Sequence, residues 1–117
     1  MTQWDDSQPI YQQLRQLVIS RILTGALGEG DALPSVRQVA ADMRVNPLTV
    51  SKAYQLLVDE DLVHKRRGLG MFVSDGARDR ALAQERHRFL TEEWPLLRAR
   101  IADLGLDLGS LPSGDDS

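Results

Sequence analysis

Residues 42–57 read DMRVNPLTVSKAYQLL. Apolar residues keep helical spacing on both sides of Asn46-Pro47, so the chain builds a helix, breaks it and starts another at once. The dipeptide is a helix start. The Asn46 side chain can accept a bond from an orphan backbone N–H, and Pro47 suits the first helical position, where a missing N–H costs nothing. Upstream, LPSVRQVAADM predicts a helix with Ser35 as N-cap, Gln38 completing a capping box, and Val36, Val39, Ala40 and Met43 as the buried stripe. Downstream, LTVSKAYQLLVDED predicts a helix that turns Val50, Ala53, Leu57 and Tyr54 inward. Two short helices around a tight turn make a helix-turn-helix, with small Ala40 at the crossing and Val45 and Val50 as apolar plugs.

Further out, SQPIYQQLRQLVISRILTG places Ile10, Leu14, Leu17, Val18 and Ile22 on one helical face, with Pro9 in the first turn and Gly25 as the stop. GALGEGDA reads as a loop. After the helix pair, LVHKRRGLGMFVS predicts a hairpin turning at Gly68 and Gly70, with Val63, Phe72 and Val73 toward the core. Beyond Asp75-Gly76 the chain becomes charged and helical. Leu90, Trp94, Leu97, Ile101 and Leu104 step by 4, 3, 4 and 3, a heptad seam that Pro95 should kink or restart. The expected fold is mainly α with a small β-hairpin: a winged helix-turn-helix over 1–75, a short C-terminal helical dimerisation region over 76–109, and a disordered tail over 110–117.

Composition narrows the function. The 117 residues hold no cysteine, which excludes disulfides and thiol chemistry and fits a cytoplasmic protein. No apolar run is long enough to span a membrane, and the N-terminus is too polar and acidic for a secretory signal. His64 and His87 stand far apart, so no metal site is expected. No nucleophile–base pair, catalytic carboxylate pair or phosphate-binding glycine loop is present, so neither an enzyme nor a cofactor is expected. The net charge is −3, yet residues 35–74 carry six bases against four acids, three of them packed into Asp59-Glu60-Asp61. A basic surface can therefore exist inside an acidic protein.

That surface has a geometry suited to DNA. The N-terminal end of the third helix projects outward, as a recognition helix does toward a major groove, and exposes Leu48, Thr49, Ser51 and Lys52. Free N–H groups there would also attract phosphate. Lys65, Arg66 and Arg67 ride on the glycine-tipped hairpin, placed to touch backbone or minor groove.

PIYQQL, GDALPSVRQVAADMRVNPLTVSKAYQLLVDEDLV and RRGLGMFV together resemble the GntR family of bacterial transcription regulators over residues 7–76. VNPLTVSKAY and the short C-terminal region resemble its YtrA subfamily. The resemblance implies a homodimeric winged-helix repressor binding a palindromic double-stranded operator, often for transporter genes and its own gene. It places DNA contacts on Arg37, Asn46, Leu48, Thr49, Ser51, Lys52, Arg67 and Gly68. The chain departs from the subfamily twice. Leu48 stands where Asn is common, and suits a thymine methyl rather than a hydrogen bond. Arg44 occupies the turn position usually held by Gly, where a positive φ would cost about 1 kcal/mol and the charge could meet a phosphate. The segment LDLGSLPSGDD is poor helix material, so the subfamily's second dimerisation helix is expected to be shortened. Two alternatives stay open: a winged-helix adaptor for another protein, and a regulator sensing an unknown effector in the dimer cleft.

Overall fold

The structure, a computed structural model, describes residues 4–112. It divides into a first unit that ends at Leu82 and a second that begins at Ala83. Residues 113–117 of the expected disordered tail lie outside the described residues.

The first unit starts with α1 (Ile10–Thr24), entered through Pro9 and closed by left-handed Gly25. Its buried face is Leu14, Val18, Ile19 and Ile22. Ile10 and Leu17 of the expected stripe are only half-buried, and the face is rotated toward Ile19. Next come α2 (Val36–Met43) and α3 (Pro47–Asp59). Val39 and Ala40 from α2 meet Val50, Ala53, Tyr54 and Leu57 from α3 in the core. Val45 packs against that cluster half-buried, so the plug role expected of it holds.

Both caps form at the expected residues. Ser35 Oγ accepts from Gln38 N–H at 3.1 Å, and Asn46 Oδ1 accepts from Leu48 N–H at 2.8 Å. The capping box is half made, because Gln38 returns no side-chain bond to the Ser35 backbone. Arg44 does take the left-handed conformation, φ 56° and ψ 48°. Val45 N–H then reaches back to Ala40 C=O at 3.1 Å, closing α2 by the motif that usually employs glycine. At the far end of α3, Asp61 is also left-handed, φ 61°. Its carbonyl accepts from Arg80 Nε and Nη2 at 3.0 and 2.6 Å, which fixes that corner.

The hairpin pairs β1 (Val63–Arg66) with β2 (Gly70–Val73), antiparallel and with Arg66 opposite Gly70. A third edge, missed by the loop reading of residues 25–32, lies against β2. Ala32 bridges to Phe72, Gly30 N–H donates to Val73 C=O at 2.8 Å, and Leu33 N–H donates to Met71 C=O at 2.8 Å. Tyr54 ties α3 to this edge, its hydroxyl donating to Pro34 C=O at 2.7 Å. Burial pushes the Tyr54 phenol up to about 12, with Arg21 pulling the other way, so the hydroxyl stays a donor at neutral pH. Val63 and Val73 are buried as expected. Phe72 is not in the core. It alternates onto the opposite face, half-buried beneath His64 and Arg66.

The helix after the hairpin starts as α4 (Ala77–Arg88), whose Ala77 and Ala81 complete the first unit's core. In the second unit the backbone passes through a π-helical turn (Phe89–Glu93) into α5 (Trp94–Asp103). The new segment expected at Pro95 is there: the π-turn ends at Glu93, and α5 starts at Trp94 with Pro95 in its first turn. The proline ring would collide with the carbonyl four residues back, that of Thr91. The π-turn widens the helix there, so Trp94 N–H bonds five residues back to Phe89 C=O. Gly105, φ 71°, then ends α5, with Gly105 and Leu106 N–H donating to Ala102 and Ile101 C=O, each at 3.0 Å. Among the described residues after it, a 3-10 turn (Leu108–Ser110) forms, capped by Asp107. Among the described residues, no helix is long and apolar enough to cross a membrane.

Candidate nucleic-acid interface

The start of α3 presents its side chains to solvent. Leu48, Ser51 and Lys52 are exposed, and Thr49 is half-buried. The backbone there behaves differently from the sequence expectation. Pro47 has no N–H, Asn46 takes that of Leu48, and Thr49 N–H donates to Asn46 C=O at 2.9 Å. Few N–H groups are left for an anion, so this helix end offers side chains rather than backbone to a ligand. Asn46 spends its oxygen on the cap and keeps its amide N–H groups available. Lys52 Nζ sits 4.0 Å above the Tyr11 ring of α1. That cation–π contact holds the ammonium at the flank of the helix, a better station for a phosphate than for a base edge.

Arg37 lies in the first turn of α2, exposed, and lines one shallow depression with Val45 and Pro47. It thus neighbours the start of α3, and no hydrogen bond or ion pair within the described residues engages it. Arg44, exposed at the turn between the helices, is likewise unengaged.

The wing bases are not equivalent, because strand alternation separates them. Lys65 shares a face with buried Val63 and borders a groove of about 410 Å³ with Ser35, Ser51, Gln55 and Leu69. His64 and Arg66 occupy the other face. Arg66 stacks 4.7 Å above Phe72 and donates from Nε to His64 Nε2 at 3.3 Å, while His64 Nδ1 and Ser74 Oγ are 2.9 Å apart. Arg66 is therefore braced within the wing, while Lys65 faces α3. Arg67 is exposed at the turn, which Leu69 N–H closes by donating to Arg66 C=O at 2.9 Å. Gly68 has φ 77°, a value that a side-chain-bearing residue would strain to hold.

The acids are set aside as the charge pattern suggests. Glu60 forms a two-pronged ion pair with Arg15 of α1, one prong at 2.5 Å. Asp59 accepts from Gln55 at 2.9 Å. These groups sit at the C-terminal end of α3, about 20 Å from its start by helical rise. What remains near that start is a surface of Arg37, Arg44, Lys52 and Lys65 around Leu48 and Ser51, cationic and rich in donors. Such a surface can neutralise phosphates and probe base edges.

The second unit carries the seam. Leu90, Leu97 and Leu104 are exposed, and Trp94 and Ile101 are half-buried. Its apolar surface is broader than those five positions. Phe89, Leu96, Leu106, Leu108 and Leu111 are exposed as well, and Phe89 rests against Trp94 with ring centroids 6.5 Å apart.

Comparison with known proteins agrees with this architecture. Residues 8–73 match the sequence family described as "Bacterial regulatory proteins, gntR family". The HTH-type transcriptional repressor YtrA of Bacillus subtilis is 43% identical over 72 residues, 62% of this chain and 55% of that protein. The chain thus spans little more than half the length of that relative. Among solved structures, a GntR family transcriptional regulator from Listeria monocytogenes superposes with a TM-score of 0.73 at 29% identity, covering 91% of both chains. YtrA from Sulfolobus acidocaldarius, a GntR-family transcription factor, gives 0.60 at 30% identity over 89% of this chain and 97% of that one.

Proposed function

The chain belongs to the GntR family of bacterial regulatory proteins, and on that premise we propose that it is a sequence-specific DNA-binding repressor. It reads a palindromic operator as a homodimer. The observation that carries this reading is the start of α3. Left-handed Arg44 ends one helix and the Asn46-Pro47 cap starts the next, leaving Leu48, Ser51 and Lys52 outward between Arg37 and the wing.

The geometry supports a division of contacts. Arg37, unengaged beside α3, is free to pair bidentately with a guanine edge. Leu48 suits a thymine methyl, and Ser51 and Asn46 offer hydrogen bonds to neighbouring edges. Thr49, half-buried, borders that edge set. Lys52, Arg44, Lys65 and Arg67 station charge for phosphates, with Gly68 letting the wing backbone approach. Arg66 contributes mainly by stiffening the wing through Phe72 and His64.

One α3 reads one half-site. Half-sites on one face of B-DNA lie about 34 Å apart or a multiple of that, so two copies must be joined. The seam from Leu90 to Leu104 supplies the apolar surface for that joint. The resemblance to the YtrA subfamily makes transporter genes and the chain's own gene the first places to look for an operator. Such a regulator would work in the cytoplasm, where its DNA is.

The test is selection from a pool of random duplexes by the purified full chain, followed by gel shifts across salt. Enrichment of an inverted repeat, with binding that weakens as salt rises, is the expected outcome. A chain that enriches no sequence is not this kind of regulator, and an adaptor role would take its place.

A further inference from the structure

Among the described residues of the first unit, the large hydrophobic side chains that stand fully exposed are Leu48 and Leu69, at 76% and 71%. All the other exposed ones belong to the second unit. Scattered surface leucines need no explanation, but these two are not scattered. Leu48 opens α3 and Leu69 closes the turn of the wing, the two parts of the unit that the proposed function brings to DNA.

The wing tip is shaped around Leu69. Gly68 and Gly70 flank it, both with positive φ, 77° and 117°. No atom outside the neighbouring residues comes within 4 Å of where a Cβ would stand at either glycine. The leucine is therefore the one apolar side chain of a narrow turn that it shares with exposed Arg67, on the side that borders the groove toward α3. It is held in place from behind. Its N–H donates to Arg66 C=O, and Arg66 is braced on Phe72 and His64. The chain reaches this apolar point through three consecutive bases, Lys65, Arg66 and Arg67.

A rigid apolar tip with cationic shoulders suits a minor groove. The groove is about 6 Å wide and offers a degenerate hydrogen-bonding pattern, so polar groups read little there. Apolar side chains act there as wedges between base steps. Pyrimidine–purine steps unstack most easily, so a wedge reads sequence through deformability. The glycines let the backbone sit close to the groove walls, and the bases meet the phosphates along its edges.

We propose that Leu69 is a specificity-determining contact that enters the minor groove beside each half-site and favours a pyrimidine–purine step there. This rests on the DNA-binding reading above, and the experiment separates the two. The operator is first selected with the wild-type full chain. Wild type, Leu69→Ala and Leu69→Met are then compared for affinity, salt dependence and DNA bending by circular permutation. Each binds the selected duplex and one whose pyrimidine–purine step is replaced by an A·A/T·T step. Leu69→Ala is expected to bind the selected duplex roughly tenfold more weakly, with a smaller bend and an unchanged salt slope, since no charge is lost. It should no longer distinguish the two duplexes, whereas Leu69→Met should keep the preference. A Leu69→Ala protein that retains wild-type affinity, bend and preference overturns the proposal while leaving DNA binding intact. One whose binding drops equally on both duplexes, with the preference kept, also overturns it. A wild-type chain that selects no sequence sinks both readings together.

Discussion

The two units of this chain use apolar residues in opposite ways. In the first, sixteen of the described residues form one buried cluster that takes in α1, α2, α3, the hairpin and the start of α4. In the second, α5 and the 3-10 turn after it bury no residue, and Leu90, Leu96, Leu97 and Leu104 are all exposed. The winged unit closes its own core; among the described residues, α5 leaves its apolar side chains exposed or half-buried. On the proposed reading, that contrast separates reading from pairing: a self-contained unit would hold Arg37 and α3 in fixed geometry, while the exposed apolar helix would pair with a second copy.

The largest expected effect breaks the pairing. Leu97→Glu puts a charge mid-seam that must be desolvated or must force two helices apart. The variant should sediment as a monomer with an unchanged circular dichroism signature for the winged unit. Its affinity for the full palindrome should fall by roughly 10²–10⁴-fold, because the second half-site no longer binds as an intramolecular event. If the variant still sediments as a dimer, pairing lies elsewhere, with α1 the next candidate.

A second pair of variants sharpens the comparison within one monomer. Leu57 is fully buried, so Leu57→Ala should lower the unfolding free energy of the winged unit by about 2–5 kcal/mol. Leu97→Ala, measured by denaturant titration at concentrations too dilute for association, should change that same transition by less than about 0.5 kcal/mol. A Leu97→Ala effect as large as that of Leu57→Ala would mean the seam belongs to the folded monomer.

Smaller effects belong to the reading surface. Arg37→Ala should weaken operator binding by about 1–3 kcal/mol and leave the melting temperature in place, since the side chain is exposed and unengaged. Unchanged operator affinity would remove Arg37 from the interface. On the wing, Lys65→Gln should flatten the salt slope by about one. Arg66→Gln should flatten it less, because Arg66 is committed to Phe72 and His64. Equal slopes for the two variants would show that the alternation of the wing does not govern which base meets DNA.

Much of this contrast is legible in the sequence, and the parts that are not share a cause. The caps at Ser35 and Asn46 are local chemistry, a short side chain reaching an N–H two or three residues on, so spacing alone reveals them. The positive φ at Arg44 is readable as a departure from glycine at a turn. Ala32 is not, because a one-residue bridge leaves no alternating run and depends on a partner forty residues away. Hydrophobicity alone puts Phe72 in the core, but it pairs with His64, and the alternation set by buried Val63 puts both on the outer face. At Pro95, proline's own rule predicts a break. A new segment does start at Trp94, but the π-turn that precedes it is a remedy that no single residue announces. At the candidate interface, charged and polar positions are easy to nominate by type. Leu69 escapes such a reading because an exposed leucine signifies something only once the rest of the unit is known to hide its own.

The central claim is that one winged unit reads one half-site and the C-terminal helix joins two of them. Sedimentation of the full wild-type chain with a labelled duplex carrying the complete inverted repeat, beside a duplex carrying one half-site, tests it most directly. The account predicts two chains per full duplex, bound together without a populated singly bound species, and far weaker binding to the half-site. A single chain saturating the full duplex, or two chains binding with equal and independent affinities to both duplexes, would contradict it.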